Sequence, residues 1–313
     1  MSVSAIVIGR NEGDRLIRCL KSLRGLAPLI YVDSGSTDGS VEAARDLGAE
    51  VVTLEMDQPF TAARARNAGL NQLANRASLV QFVDGDCEVQ PGWLTRAETF
   101  LHDHAQAAVV CGRRRERFPE ASIYNRLTDE EWDTPIGEAR SCGGDALMRV
   151  DALRKVGGYN PTLIAGEEPE LCVRLRQAGW TIWRIDTEMT LHDANITRLG
   201  QWWTRTKRAG HAFAEGAALH GAPPERHNIS QTRRALIWGA GIPLAALLGT
   251  LITPWALLIL LLWPLQILRL ALKGERPLRA AFLILGRIPE AAGALSFYWG
   301  RLMGRRTELI EYK

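Results

Sequence analysis

A chain of 313 residues has room for one large domain with an appendage or for two modest domains, and its net charge of +3 hides a division. Residues 200–313 carry 15 Lys/Arg against 6 Asp/Glu, a balance of +9, which leaves residues 1–199 at −6. Five scattered cysteines (Cys19, Cys87, Cys111, Cys142, Cys172) without CxxC spacing argue against a disulfide framework or a zinc site, and suit a reducing, cytosolic setting for the front half.

The front half alternates short apolar runs with helix-period segments, which predicts an α/β domain with a mostly parallel sheet. The N-terminus is too short and uncharged for a signal peptide, and residues 3–8 read as a buried first strand. Leu16, Ile17, Leu20 and Leu23 mark one face of a helix. A second strand at 29–32 ends in a Gly/Ser-rich turn over 33–39. A helix over 40–47, a strand at 51–54, a helix over 61–75 and a strand at 79–83 follow. Later, 168–178 reads as a helix stopped by Gly179, leading to a strand at 181–185.

The rear half has a different character. From Ala235 to Leu268 there are 34 residues without one charge, too many for a single span and slightly few for two. Thr253-Pro254 supplies a turn near the middle. Arg233 and Arg234 precede the run, and Arg269, Lys273, Arg276 and Arg279 follow it, which predicts a helical hairpin with both ends on the cytoplasmic side. Residues 278–303 are too polar to span readily and suit a helix in the headgroup layer, as does 202–218 with its tryptophans beside Arg205, Lys207 and Arg208. The expected organisation is a catalytic domain over 1–199, an amphipathic connection over 200–232, a membrane hairpin over 233–273, and an interfacial helix and tail over 274–313. A basic, apolar rear favours membrane lipids over nucleic acid as the anionic partner.

The chemistry concentrates on Asp84-Gly85-Asp86, directly after the 79–83 strand. Ligands of open α/β sheets bind beyond the carboxyl ends of strands. Two carboxylates there can hold Mg2+ or Mn2+ while leaving positions for phosphate oxygens. A departing nucleoside diphosphate builds negative charge that such a cation neutralises. Asp33, after the second strand, can accept hydrogen bonds from a base or ribose, or can simply organise its turn. Glu12 and the group Arg64-Ala65-Arg66-Asn67 line the same edge.

These segments resemble successive motifs of the family-2 glycosyltransferases. The resemblance is carried by Ile8-Gly-Arg-Asn-Glu12-Gly, Val32-Asp33-Ser-Gly-Ser-Thr-Asp38-Gly, Ala65-Arg66-Asn67-Ala-Gly69 and Val83-Asp84-Gly-Asp86. It continues through Gly143-Gly144-Asp145, Val156-Gly-Gly-Tyr159 and Gly166-Glu-Glu168-Pro-Glu170, so it covers roughly residues 1–195. It implies a GT-A fold and transfer with inversion. It also implies that Glu12 and Asp33 hold the nucleoside, that Arg66 helps at the base or phosphates, and that Asp84 and Asp86 serve ribose and metal, Asp86 directly. The family's Glu-Asp pair, whose Asp is the catalytic base, is matched here by Glu167-Glu168, which puts a longer side chain at that position. His192 in Leu191-His192-Asp193 resembles a histidine that completes the metal site in some relatives, with Asp193 placed to orient its ring.

Independently of the resemblance, an inverting displacement needs a base for the acceptor hydroxyl proton, and a carboxylate at the start of a helix suits that task. Glu at a helix start is also stabilised by the helix dipole alone. The run Arg113-Arg-Arg-Glu-Arg117 reads either as a solvated charged stretch or as a binder of a lipid-linked phosphate. The sequence therefore predicts a metal-dependent (Mn2+ or Mg2+) inverting glycosyltransferase at the cytoplasmic face of the inner membrane. The expected donor is a nucleotide diphosphate-sugar, with UDP favoured, and the expected acceptor is lipid-linked or otherwise membrane-bound. The alternatives are a polyprenyl-phosphate sugar transferase, which needs no strong base, and a catalytically silent nucleotide-sugar-binding membrane protein.

Overall fold

The computed structural model describes residues 2–58 and 60–304, and these divide into two compact units between Thr197 and Arg198. The end of the tail expected over 274–313 lies outside the described residues.

The front unit opens with β1 (Val3–Gly9), α1 (Asp14–Ser22), β2 (Leu29–Asp33), α2 (Ser40–Asp46) and β3 (Glu50–Thr53). It continues with α3 (Ala62–Leu73), β4 (Leu79–Asp84), β5 (Cys87–Val89), α4 (Trp93–Asp103), β6 (Ala107–Glu116) and α5 (Ile123–Glu131). The last elements are β7 (Gly137–Ala139), β8 (Ala146–Arg149), α6 (Val150–Lys155), α7 (Glu167–Gln177) and β9 (Thr181–His192). The strands form one mixed sheet in the order β3-β2-β1-β4-β8-β6-β9-β5, with β7 added against β9. β1, β2, β3 and β4 are mutually parallel, as are β6 and β9, while β8 runs antiparallel between β4 and β6. The architecture expected from the alternating pattern is the one observed.

Apolar runs become strands because both faces are covered, so β1 and β4 are buried almost throughout. α1 turns Leu16, Cys19 and Leu20 into the core; Ile17, expected on that face, sits at its margin while Cys19 fills the interior. α3 lies close on the sheet because residue 69 is glycine: a Cβ there would stand 2.4 Å from Ile6 Cγ2. Thr61 starts this helix, its hydroxyl accepting from the Arg64 N–H at 3.1 Å. β9 is longer than the predicted 181–185 strand. Its second half keeps pairing with β6 through register shifts and then with β5, which sets His192 opposite both Glu116 and Cys87.

The rear unit comprises α8 (Leu199–His220), α9 (Ile229–Ala235), α10 (Ile242–Gly249), α11 (Leu262–Leu272), α12 (Pro277–Leu285) and α13 (Arg287–Leu302). A π-turn at Leu236–Gly241 joins α9 to α10, and a 3₁₀ stretch at Pro254–Leu261 leads into α11. The uncharged run thus folds back on itself at residues 250–253. The helical stretches Pro254–Leu272 and Pro277–Leu302 are long and apolar enough to cross a membrane, the first with none of its apolar window buried. The segment read as interfacial packs along α8. A Cβ at Gly210 would stand 2.0 Å from the Glu290 carbonyl oxygen, and one at Gly293 would stand 1.9 Å from that of Lys207. Such backbone-close crossings at small residues are how helices associate where lipid removes the hydrophobic drive between them.

Candidate active site

The carboxyl ends of β1, β2 and β4 lie side by side, with Gly9 opposite Asp33 and Ile8 opposite Asp84. The loops that leave these strands hold Glu12, the 34–38 turn and Asp86. Asn11 stitches two of them together: its N–H donates to Ser36 Oγ and its side-chain oxygen accepts from the Thr37 N–H. Asp33 is buried, and its carboxylate accepts from the Tyr31 hydroxyl at 3.0 Å and from the N–H groups of Gly35 and Ser36. It therefore organises the turn, as the simpler reading of this residue allows. Glu12 pairs with Arg15 at 2.8 Å, and its Cγ lies 3.2 Å from where a Cβ would stand at Gly9 or at Gly85. Two glycines thus leave space for that side chain beside the Asp84-Gly85-Asp86 turn.

Arg66 is the hub of one half of the site. It is 2% exposed and reaches Asp84 Oδ1 at 2.8 Å, Glu167 Oε1 at 3.0 Å and Glu168 Oε1 at 2.6 Å. The Tyr159 ring lies under its guanidinium at 5.5 Å, and Asn67 holds Tyr159 by bonding both its backbone N–H and its carbonyl. Gly144 makes the Arg66–Asp84 contact possible, because a Cβ there would lie 2.7 Å from both Arg66 Nη2 and Asp84 Oδ2. Glu170 pairs with Arg174 one turn along its own helix.

A second arginine escaped the sequence reading. Arg114 contacts Asp84 Oδ2 at 3.0 Å and Asp145 Oδ2 at 2.8 Å, with its guanidinium over the Trp132 ring at 5.2 Å. Asp145 is fully buried; its other oxygen accepts from the Asp84 backbone N–H at 3.0 Å. Each oxygen of Asp84 therefore meets an arginine. Within the run 113–117 only Arg115 is exposed, as the solvated reading expects; Arg113, Arg114 and Arg117 are buried or half-buried, and each of the four faces a carboxylate. Alternation along β6 was the available signal, because a strand turns every second side chain inward.

Asp86 and His192 form the other half. Both are buried, with Asp86 Oδ2 3.2 Å from His192 Nε2. Cys87 completes a cluster whose candidate ligand atoms lie within 4.8 Å of one another. On the far side of the ring, His192 Nδ1 faces Glu116 Oε2 at 3.8 Å, and Trp132 meets the ring edge-on at 4.8 Å. Asp193 does not orient this ring as expected: its N–H donates to the Asp86 carbonyl and its carboxylate faces Arg18 at 3.6 Å. The donor set of carboxylate and imidazole fits Mn2+, which accepts both. Burial pushes the Cys87 thiol well up, so it stays protonated and suits a hard cation poorly.

Electrostatics separate the carboxylates. Burial opposes ionisation of Asp84, yet Arg66 and Arg114 hold its carboxyl well below the usual carboxylate range. Burial acts on Glu168 too; Arg66 opposes it, but the neighbouring charges of Glu167 and Asp84 help push its carboxyl up to about 7. Burial lowers His192, with Glu116 opposing and Arg114 assisting, so the ring is neutral and free to ligate. Two carboxyl groups pushed apart in this way within one site suit a permanently ionised cation holder and a proton acceptor.

Residues 4–157 match the family model described as Glycosyl transferase family 2. Over 231 residues the chain is 29% identical to the pre-mycofactocin glycosyltransferase of Mycobacterium tuberculosis, covering 70% of this chain and 48% of that protein. Over 209 residues it is 28% identical to the succinoglycan biosynthesis protein ExoA of Rhizobium meliloti, covering 62% of this chain and 63% of the relative. The chain thus spans about half the length of the first relative and less than two thirds of the second. The mannosyltransferase PcManGT from Pyrobaculum calidifontis, solved in complex with GDP-Man and Mn2+, superposes over 96% of this chain and 87% of its own, with a TM-score of 0.63 at 20% identity. That likeness establishes a shared GT-A fold. Fold and matches together define a glycosyltransferase. Residues 4–157 form a family-2 glycosyltransferase domain.

Proposed function

We propose that this enzyme transfers a sugar, with inversion, from a nucleoside diphosphate-sugar to a membrane-linked hydroxyl acceptor in cell-surface glycan or polysaccharide biosynthesis. The observation that carries the reading is the convergence, at the carboxyl ends of β4 and β9, of Asp84, Asp86 and His192, with Glu168 joined to Asp84 through Arg66. Asp86 and His192 would hold Mn2+ or Mg2+, with Asp84 as a supporting group. When bound, the cation supplies charge neutralisation for the departing diphosphate.

The remaining roles belong to the chain's own groups. Glu12 and Asp33 border the place for the nucleoside. Arg66 keeps Asp84 and Glu168 in fixed relation, so the donor-side carboxylate and the base move as one unit. Glu168, at the first turn of α7, takes the proton of the acceptor hydroxyl as that oxygen attacks the anomeric carbon and the sugar–phosphate bond breaks. Its elevated proton affinity suits a base that works near neutral pH.

The membrane-linked acceptor is supported by the rear unit. Leu251 and Ile252, at the turn of the hairpin, are 84% and 90% exposed, and Trp255, Leu258 and Leu265 also face outward. A continuous apolar surface of that kind needs cover other than water. Basic residues at both ends of the run suit a cytoplasmic-side attachment of the hairpin.

A donor-hydrolysis panel tests the reading: the purified full chain in detergent, with UDP- and GDP-sugars, with Mn2+, Mg2+ or EDTA. We expect metal-stimulated release of one nucleoside diphosphate, strongest for a UDP-sugar, and faster release when membrane lipid extract is added. Turnover unaffected by EDTA would overturn the metal assignment. Turnover with no lipid-extract stimulation would overturn the membrane-linked acceptor.

A further inference from the structure

We propose that Glu116 is a positioning residue for the cation site, its carboxylate holding His192 with Nδ1 protonated and Nε2 turned toward Asp86. The inference rests on the reading of His192 as a ligand.

The topology creates the juxtaposition. β6 and β9 pair so that Glu116 lies directly opposite His192, although 76 positions separate them in the chain. Glu116 is 3% exposed, with Oε2 3.8 Å from Nδ1, while Nε2 on the other edge of the ring is 3.2 Å from Asp86. Nδ1 is buried and makes no hydrogen bond among the described residues, so this carboxylate is the acceptor it faces. The separation exceeds hydrogen-bond length by less than 1 Å, the kind of gap that closes when an active site binds its ligands.

The carboxylate cannot swing aside. Its Oε1 accepts from the Phe118 N–H at 3.1 Å and from Asn125 Nδ2 at 3.2 Å, and its Oε2 accepts from the Ala194 N–H at 3.0 Å. All three partners are donors, so the site demands two acceptor oxygens, which a glutamine lacks. Asn125 extends the clamp by accepting from the Ile196 N–H at 2.9 Å. The same network therefore fixes the carboxylate and the segment that follows the histidine. A histidine that donates one ring N–H to a carboxylate presents the other nitrogen's lone pair to a metal in a set direction, and loss of such a partner typically lowers metal affinity about 10- to 100-fold.

The test measures Mn2+ binding to the full chain by electron paramagnetic resonance, without donor, for the unaltered protein, H192A, E116Q and the double variant. Thermal midpoints without metal report whether each variant folds, and E116D, which keeps the charge but shortens its reach, serves if E116Q does not. We expect H192A and E116Q each to weaken binding by about tenfold or more. In the H192A background, E116Q should add almost nothing, because a residue acting through His192 has nothing left to position. Cobalt absorption bands should likewise shift in E116Q toward those of H192A. An equal loss from E116Q in both backgrounds would make Glu116 merely structural and overturn the proposal. Weakening by H192A without weakening by E116Q would overturn it while sparing the ligand reading. Mn2+ binding unchanged in H192A would remove the ligand reading, and the inference with it.

Discussion

In the front unit Arg66 is buried and Arg114 largely so, with carboxylates on several sides, whereas in the rear unit alanine and glycine fill the helix crossings and leucine, isoleucine and tryptophan face outward. One region keeps charge inside and the other keeps apolar surface outside. Both arrangements are costly in a water-soluble globule. The front tolerates its interior charge because each arginine is matched by carboxylates at hydrogen-bond distance, and a matched cluster with open strand ends beside it is a site for chemistry. The rear shows no such pairing for its exposed apolar side chains among the described residues, and two of its helical stretches are long and apolar enough to cross a membrane.

The largest expected effect tests the front unit's use of charge for catalysis. Glu168→Gln should lower transfer by about 10²- to 10⁴-fold, the range for losing a general base. A polyprenyl-phosphate acceptor needs no such base, so a variant retaining most of its transfer activity would point to that chemistry instead. The pH profile carries a sign: the base works deprotonated, so turnover should rise with pH through about 7 and level off above it. A fall through that interval would contradict the assignment.

Next in size is Arg66→Met. It leaves Asp84, Glu167 and Glu168 facing one another without their shared cation, and should destabilise the fold by about 3–5 kcal/mol. Thermal unfolding in detergent measures it; an unchanged midpoint would mean the cluster is not held by this arginine. Gly144→Ala probes the same cluster more gently. The added methyl would press on Arg66 and Asp84 together, at an overpacking cost of about 1–3 kcal/mol, with donor hydrolysis falling as Asp84 is displaced.

The smallest effect belongs to the rear unit. Ile252→Asp changes an outward-facing side chain at the hairpin turn and should leave donor hydrolysis as it is. In lipid it should cost up to about 3 kcal/mol, less if the turn sits near the interface, and reduce co-flotation with liposomes. Equal flotation of both proteins would place this turn in water and erase the contrast between the two units.

Much of the donor edge was legible in the chain itself. Strand runs ending at Asp33 and Asp84 announce a parallel sheet with carboxylates at its carboxyl ends, because alternation and apolar runs are local properties. Gly166 before Glu167-Glu168 likewise marks a helix start, adopted here through a left-handed backbone at φ 78°. The 34 uncharged residues by themselves determined that the rear folds back as a helical hairpin. Glu116 and Arg114 were not legible. They sit in an arginine-rich run that reads as solvated charge, and only the pairing of β6 with β8 and β9 turns them toward Asp145, Asp84 and His192. Asp193 looked like the partner of His192 because it is adjacent in sequence, but it lies just past the end of β9 and its carboxylate faces Arg18. The tertiary structure alone decided which carboxylate faces the imidazole, since that depends on strand order, and strand order is a property of distant residues meeting.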